Sequence, residues 1–186
     1  RSILEKIVPG HASTGAPESP KSVAYSRVIM SHMMQPQDAN PAAIVHGGVV
    51  MKHIDAAAGV VALRHTRGNV VTASIDRLDF HNPAFIGNLL CLKASLNLVG
   101  TTSMEVGVRV ETEDLRTGEI RHTASAYLTF VALDEHFRPR PVPPLVLETE
   151  QDRRRNRQAQ ARRQVRLAEK TRETTCRVDP DTCLPG

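Results

Sequence analysis

Aromatic residues are scarce in this chain of 186 residues, which has no tryptophan, two tyrosines and four phenylalanines. Proteins that bind single-stranded nucleic acid stack bases on aromatic side chains, so the supply is thin for that class of protein. The hydrophobic core must therefore be built from valine, leucine, isoleucine, alanine and methionine. An apolar content of 40% with 24% charged residues is typical of a soluble globular protein.

Long apolar runs and a disulfide framework are also missing. No run approaches the ~20 residues that a membrane-spanning helix needs. The first 22 residues lack the apolar stretch and the small-residue cleavage site of a signal peptide. The three cysteines are an odd number and form no disulfide pattern. We therefore expect a cytoplasmic protein without a membrane span.

The net charge of +4 is concentrated in one segment, because residues 151–170 carry eight Lys or Arg against two Asp or Glu. An exposed, charge-rich helix is the simplest interpretation of this segment, and nucleic-acid binding through residues 153–166 is an alternative. Composition divides the chain further. We predict a flexible leader at 1–21, a globular domain at 22–146, a basic helix at 147–170 and a loose tail at 171–186.

Hydrophobic periodicity predicts an α+β domain of two layers. Residues 22–34 indicate a first strand, and residues 46–66, apolar nearly all round, indicate a helix that is buried on all sides. Four later runs alternate apolar and polar residues with the period of two that is typical of antiparallel strands with one covered face: 69–80, 89–99, 103–112 and 120–133. We therefore predict a five-stranded antiparallel sheet curled around a central helix.

Asp55 is the most informative polar residue of the predicted helix, since its neighbours at helical spacing are apolar or small. A carboxylate there loses hydration, which is costly unless the group is paired or hydrogen-bonded. Such a group is a candidate for catalysis. A structural aspartate that pairs with Lys52 or points to water is the alternative, and the pattern leaves both open.

The start of the same helix, His46-Gly47-Gly48, is a second candidate. The first turn of a helix has unpaired N–H groups and a partial positive charge, and two glycines let a ligand approach the backbone closely. Such a place can hold a phosphate or the oxyanion of an attacked carbonyl. Taken alone, the glycines are explained as well by a tight turn; together with Asp55 they indicate a site.

The distance between these two candidates bears on assembly. Gly47 and Asp55 are eight residues apart, which is about 12 Å along a helix axis. One aspartate side chain cannot reach a carbonyl bound at the N-terminus of its own helix. If both residues act on one group, a second copy of the helix must supply one of them, which predicts a site shared across a dimer interface.

Three stretches in order resemble the hotdog-fold acyl-CoA thioesterases, both the bacterial single-domain enzymes and the domains of the brain-type tandem enzyme: DANPAAIVHGGVVMKHIDAAAGVVALRHT, NVVTASIDRLDFHNPAFIGN and GTTSMEVGVRV. The resemblance covers about residues 22–150. It implies the hotdog fold and hydrolysis of acyl-CoA to free acid and coenzyme A. No metal or redox cofactor is implied, and coenzyme A is part of the substrate.

The resemblance assigns roles to particular residues. It places Asn40 at the family's active-site amide, Asp55 at the helix carboxylate, and Gly47 or Gly48 at the amide that polarises the thioester carbonyl. In such enzymes the Asn and the Asp come from opposing subunits, so a homodimer with shared sites is expected, and assembly into trimers of dimers is left open. Coenzyme A is expected to contact His46, Asp76, Arg77, Phe80, Thr101 and Ser103.

We expect Asp55 to act as a general base on the attacking water, with direct nucleophilic attack as the alternative. Asn40 would orient the water or the carbonyl. A hotdog dehydratase or hydratase is the alternative interpretation. Such an enzyme needs a histidine that acts with the carboxylate, and His46 is the only suitable candidate. Its place in the His-Gly-Gly sequence, and not well upstream in a loop of its own, argues against this role. His46 and His53 have no third ligand at metal spacing.

Overall fold

The structure is a computed structural model that describes residues 19–178. Most of the predicted leader at 1–21, and the end of the predicted tail at 171–186, lie outside the described residues, so the division of the chain into domains stays a prediction. No helix within 19–178 is long and apolar enough to cross a membrane.

The described residues form seven strands, three α-helices and a short 3₁₀ turn. A small parallel sheet joins β1 and β7, and the other five strands form one antiparallel sheet in the order β2-β4-β5-β6-β3. The bounds in chain order are β1 Lys21–Ser22, α1 Val23–Ser26, β2 Val28–Met33, α2 Gly47–Thr66, β3 Val70–Phe80, β4 Leu89–Val99, β5 Ser103–Glu113, β6 Ile120–Ala132, β7 Leu145–Val146 and α3 Glu150–Val178.

The first predicted strand, 22–34, is wrong in its first half. Its start forms the short helix α1, and only Val28–Met33 joins the large sheet. In a strand Val23 and Tyr25 would share one face, yet Val23 is buried and Tyr25 is exposed. Val23 and Ser26, three residues apart, are buried together, which is the spacing of one helical turn.

The core lies between α2 and the concave side of the sheet, as the alternating pattern predicts. Fully burying one large apolar side chain stabilises the fold by about 1.5–3 kcal/mol, and alanines on α2 let the sheet approach the helix closely. The strands contribute Leu90, Leu92, Leu96, Val106, Leu128 and Phe130, and the helix contributes Val50, Ile54, Ala57, Ala58 and Val61. The prediction of a five-stranded sheet curled around a central helix is confirmed.

The prediction that this helix is buried on all sides is wrong for the single chain. Five strands cover only one side of α2, so Met51 and Leu63 on its other side are 40% and 47% exposed. Asp55 lies on the same exposed side. The apolar surface that periodicity assigned to the core is therefore uncovered in one chain.

The second face of the sheet, predicted to be solvated, is partly covered by α3. This helix begins later and continues further than the predicted 147–170. Ser95, Asn97 and Glu105 point towards α3 and are buried although they are polar. Hydrogen bonds replace apolar packing here: Arg155 Nη1 donates to Ser95 Oγ (3.3 Å), Asn156 Nδ2 to Asn97 O (2.8 Å) and Arg162 Nη2 to Glu105 Oε1 (2.6 Å).

Candidate active site

At the N-terminus of α2 the structure distinguishes Gly47 from Gly48, which the sequence alone does not. His46 caps the helix: its Nδ1 accepts from the N–H of Gly48 at 2.9 Å, and its own N–H donates to Asp38 O at 2.8 Å. The N–H of Gly48 is therefore already bonded. The N–H of Gly47 has no acceptor among the described residues, so Gly47 is the donor that remains available to a ligand.

Phe80 stands beside this free N–H. It ends β3, its side chain is 49% exposed, and a Cβ built on Gly47 would lie 3.6 Å from Cζ of its ring. A methyl group at Gly47 would therefore make an ordinary van der Waals contact with the ring. Phe80 thus forms one wall of the space in front of the helix terminus, and its contact with a ligand stays a prediction.

Asn40 lies in the loop that leads to α2 and is held by its own loop. Its Oδ1 accepts from the N–H of Ala42 at 2.9 Å and of Ile44 at 3.3 Å, and its N–H donates to Ile44 O at 2.8 Å. These bonds fix the orientation of the side chain. Within the described part of the chain its Nδ2 has no acceptor, so the amide can donate to a ligand.

Asp55 is hydrogen-bonded to Thr72, a residue that the sequence analysis did not single out. The Thr72 hydroxyl donates to Asp55 Oδ1 at 2.7 Å. No partner is found for Oδ2 within residues 19–178, so this oxygen can accept a proton from a ligand. Hydrophobic periodicity does not identify Thr72, because the two side chains meet only through the packing of β3 against α2.

The structure divides the predicted coenzyme A contacts between distant places. Phe80 and His46 lie at the N-terminal end of α2, whereas Thr101 and Ser103 flank the β4–β5 turn at the opposite end of the sheet. Asp76 and Arg77 differ again: Asp76 is ion-paired with Arg166 of α3, and Arg77 Nε donates to Asp79 at 2.5 Å. One chain does not bring these groups together, and their contacts with coenzyme A stay predictions.

Two histidines, His32 of β2 and His53 of α2, stack with their ring centroids 4.1 Å apart. Burial lowers the pKa of His53, as do His32 and then Lys52, and Asp38 partly opposes this. His32 Nε2 is buried with no hydrogen-bond partner among the described residues. No cluster of three His, Cys, Asp or Glu that could hold a metal ion is found in the described range.

The lowered pKa of His53 predicts a pH-dependent stability. Between this lowered value and the ordinary 6.5, the unfolded chain binds a proton that the folded chain does not. The free energy of unfolding should therefore fall as the pH drops through that window. Urea unfolding at about pH 7.5 and about pH 5.5 measures this loss, which should be smaller in His53→Gln. His122, whose pKa is also lowered, is present in both proteins, so equal losses would contradict the assignment to His53.

Comparisons with known proteins agree with this architecture. The family model described as thioesterase superfamily matches residues 42–119. The uncharacterized acyl-CoA thioester hydrolase YkhA of Bacillus subtilis is 43% identical over 127 residues, which are 68% of this chain and 74% of YkhA. The cytosolic acyl coenzyme A thioester hydrolase of Mus musculus is 37% identical over 138 residues; the match takes in 73% of this chain but only 36% of the mouse protein.

Solved structures give the same result. A hexameric acyl-CoA thioesterase without ligand superposes with a TM-score of 0.79 at 39% identity, covering 82% of this chain and 97% of that one. An acyl-CoA hydrolase from Staphylococcus aureus, in complex with butyryl coenzyme A, coenzyme A and coenzyme A disulfide, superposes with a TM-score of 0.78 at 34% identity, covering 83% and 94%. With this fold, these motifs and these relatives, the chain belongs to the hotdog-fold acyl-CoA thioester hydrolases of the thioesterase superfamily.

Proposed function

We propose that this protein hydrolyses acyl-CoA to a free carboxylic acid and coenzyme A. The observation that carries the proposal is the hydrogen bond between Thr72 and Asp55 on the exposed side of α2. Solved structures of the S. aureus hydrolase include three variants in which an asparagine, an aspartate or a threonine is replaced by alanine. In chain order these three positions are fifteen and then seventeen residues apart. The same residue types stand at the same intervals here, as Asn40, Asp55 and Thr72.

In the proposed mechanism Asp55 is the general base. Thr72 holds Oδ1, and Oδ2 takes a proton from a water that attacks the thioester carbon. The N–H of Gly47 stabilises the oxyanion, and the Asn40 amide orients the water or the carbonyl. The C–S bond then breaks, the coenzyme A thiolate takes the proton from Asp55, and the acid leaves. No metal or redox cofactor is needed for these steps.

We propose further that the site is shared by two copies of the chain. The ~12 Å between Gly47 and Asp55 along one helix is too long for both to act on one carbonyl. A second copy packed on the exposed side of α2 would bring its own Gly47 and Asn40 to this Asp55, and it would cover Met51 and Leu63. The hexameric relative is a precedent for assembly. We propose a homodimer with shared sites as the unit and leave its further assembly into trimers to experiment.

A dehydratase or hydratase is the weaker alternative on structural grounds. It needs a histidine that works beside the carboxylate, and the candidate was His46. The Nδ1 of His46 is bonded to the N–H of Gly48, so this ring serves as a helix cap. Nucleic-acid binding through α3 is a second alternative. It is weakened because arginines of α3, among them Arg162 and Arg166, bond to carboxylates of the sheet.

A thiol-release assay across a series of acyl-CoA chain lengths tests the proposal. We expect hydrolysis with at least one chain length, and the series would also give the preferred acyl chain. Absence of thiol release with every chain length would refute the proposed function.

Since the mouse relative is named a cytosolic enzyme, we propose the cytoplasm as the site of action.

Thr72→Val should lower kcat about tenfold to a hundredfold, because a hydrogen bond to a charged group is worth about 1.5–3 kcal/mol. Valine keeps the shape of threonine and suits an edge strand, so the fold should be unchanged. KM should stay close to its wild-type value, since Thr72 contacts Asp55 and not the substrate. Steady-state kinetics with the best acyl-CoA measures both constants, and a wild-type kcat in the variant would show that Thr72 does not support the base.

A further inference from the structure

Asp76 of β3 is a buried carboxylate that the proposed mechanism does not use. Its side chain is 9% exposed. Oδ1 accepts from Ser74 Oγ at 2.6 Å, and Oδ2 accepts from Thr129 Oγ1 at 3.1 Å and from Arg166 Nη1. Three donors from β3, β6 and α3 thus meet on one residue. Arg166 supplies the only positive charge that is ion-paired to Asp76 among the described residues.

The backbone of β3 is irregular on both sides of Asp76. Among the described strands β3 lies at the edge of the sheet and is bonded only to β6. Its register against β6 shifts between Thr72 and Ser74 and again between Ile75 and Arg77. Asp76 lies inside the second shift. Ser74 and Ile75, between the two shifts, pair with Thr129 and Leu128, but Asp76 has no pairing partner in β6, because a bulge disrupts the hydrogen-bond ladder locally. Buried side-chain contacts must therefore fix Asp76 in place.

Thr72 stands at the start of the same irregular stretch but faces the other side of the sheet. It pairs with Phe130, a core residue beneath α2, and its hydroxyl donates to Asp55. Asp76 faces α3 instead. The bulged part of β3 therefore joins an ion pair on one face of the sheet to the hydrogen bond of Asp55 on the other.

We propose that Arg166 is a positioning residue for the reaction, an inference that rests on the proposed function of Asp55. Its ion pair with Asp76 holds the bulged part of β3 so that the Thr72 hydroxyl stays bonded to Asp55. The competing explanation is that the pair only fastens α3 to the sheet. A second ion pair of α3, between Arg162 and Glu105, provides the comparison, because Glu105 lies on the central strand β5, which two neighbours already hold.

Two matched double variants separate the explanations: Asp76→Asn/Arg166→Gln and Glu105→Gln/Arg162→Gln. Each removes one buried ion pair from α3 without leaving a lone buried charge, which would threaten the fold. Thermal unfolding should show both to be folded. We expect the first to lower kcat about tenfold with little change in KM, and the second to keep kcat within about twofold of wild type. Arg166→Lys, which keeps the charge, should recover most of the activity.

A third comparison tests whether Arg166 acts through Thr72. In a Thr72→Val background, Asp76→Asn/Arg166→Gln should cause no further loss of kcat, because the bond that Arg166 positions is already absent. A merely structural role would let the two losses multiply. Multiplying losses, or an unchanged kcat in the Asp76/Arg166 double variant, would overturn the proposal.

Amide hydrogen exchange gives a readout that does not depend on activity. Exchange in residues 70–78 should be faster in the Asp76/Arg166 double variant and unchanged in the Glu105/Arg162 double variant. Equal exchange in this stretch would overturn the proposal whatever the kinetics. If wild-type protein released no thiol from any acyl-CoA, the proposed function would fail, and the exchange comparison would still decide whether Arg166 holds β3.

Discussion

Asp55→Asn should lose about 10²–10⁴-fold in kcat, the range that general-base catalysis contributes, while the protein stays folded. Asparagine has nearly the same volume and still accepts the hydrogen bond from the Thr72 hydroxyl. Asp55 is exposed in the single chain and carries no ion pair within the described residues, so its neutralisation leaves no unpaired charge behind. The loss should appear in kcat because the amide cannot take the proton from water.

Steady-state thiol release measures this effect, and circular dichroism with size-exclusion chromatography controls for the fold and the assembly. Lys52→Gln is a suitable control, since Lys52 is the charged neighbour of Asp55 on the exposed side of α2 and has no role in the proposed chemistry. It should keep kcat within about threefold. An Asp55→Asn protein with wild-type turnover would remove Asp55 from the mechanism.

Gly47→Pro should lower kcat about 10²–10³-fold, the cost of removing one oxyanion donor. Proline deletes the N–H that we assign to this role. Position 47 is the first residue of α2, where proline is favoured because the N–H has no helical partner. His46 has φ −63° and ψ 130°, the extended conformation that a residue before proline prefers. The helix should therefore form as before.

Gly47→Ala is the matched control, because it adds a Cβ at an ordinary 3.6 Å from the Phe80 ring and keeps the N–H. Its kcat should stay within about fivefold of wild type, since the added methyl group only makes an ordinary van der Waals contact and no hydrogen-bond donor is lost. Similar losses in both variants would point to crowding beside Phe80 and would refute the assignment of the Gly47 N–H as the oxyanion donor.

Periodicity predicted the central architecture because the strands of the sheet bury alternate residues. Leu90, Leu92 and Leu96 all face α2, as the period of two requires. The short helix α1 was missed because Val23 to Ser26 is a single turn, too brief for a helical period to be visible against the strand that follows. Chain order was correct for β4, β5 and β6, which are neighbours in the sheet, but it did not place β3, which pairs with β6 and not with the next strand in the chain, β4.

Periodicity failed where polar groups bury each other. Ser95, Asn97 and Glu105 stand at the alternate positions that were predicted to face solvent. No feature of those strands reveals that polar side chains of α3 cover them. The charge-rich appearance of α3 pointed to solvent for the same reason. Such hydrogen bonds and ion pairs join residues that are far apart in the sequence. They depend on tertiary packing, so they leave no local sequence pattern.

The candidate site was predicted in part. Asp55, Gly47 and Asn40 were identified by residue type, spacing and resemblance, but the pattern left open whether Asp55 is buried or points to water. An apolar helix can be covered by its own sheet or by a second copy of the chain, and one sequence does not distinguish the two. Thr72 was missed because its role exists only through its hydrogen bond to Asp55.

A subunit-mixing experiment tests the central claim, a thioesterase site built from Asp55 of one chain and Asn40 of another. Asn40→Ala and Asp55→Asn proteins, each inactive alone, are mixed under conditions in which subunits exchange, and thiol release is measured. Each mixed dimer has one site with both lesions and one with neither. With random pairing, half of the dimers are mixed, so about a quarter of wild-type activity should return. No recovered activity, with exchange demonstrated by mass-labelled subunits, would contradict the shared site.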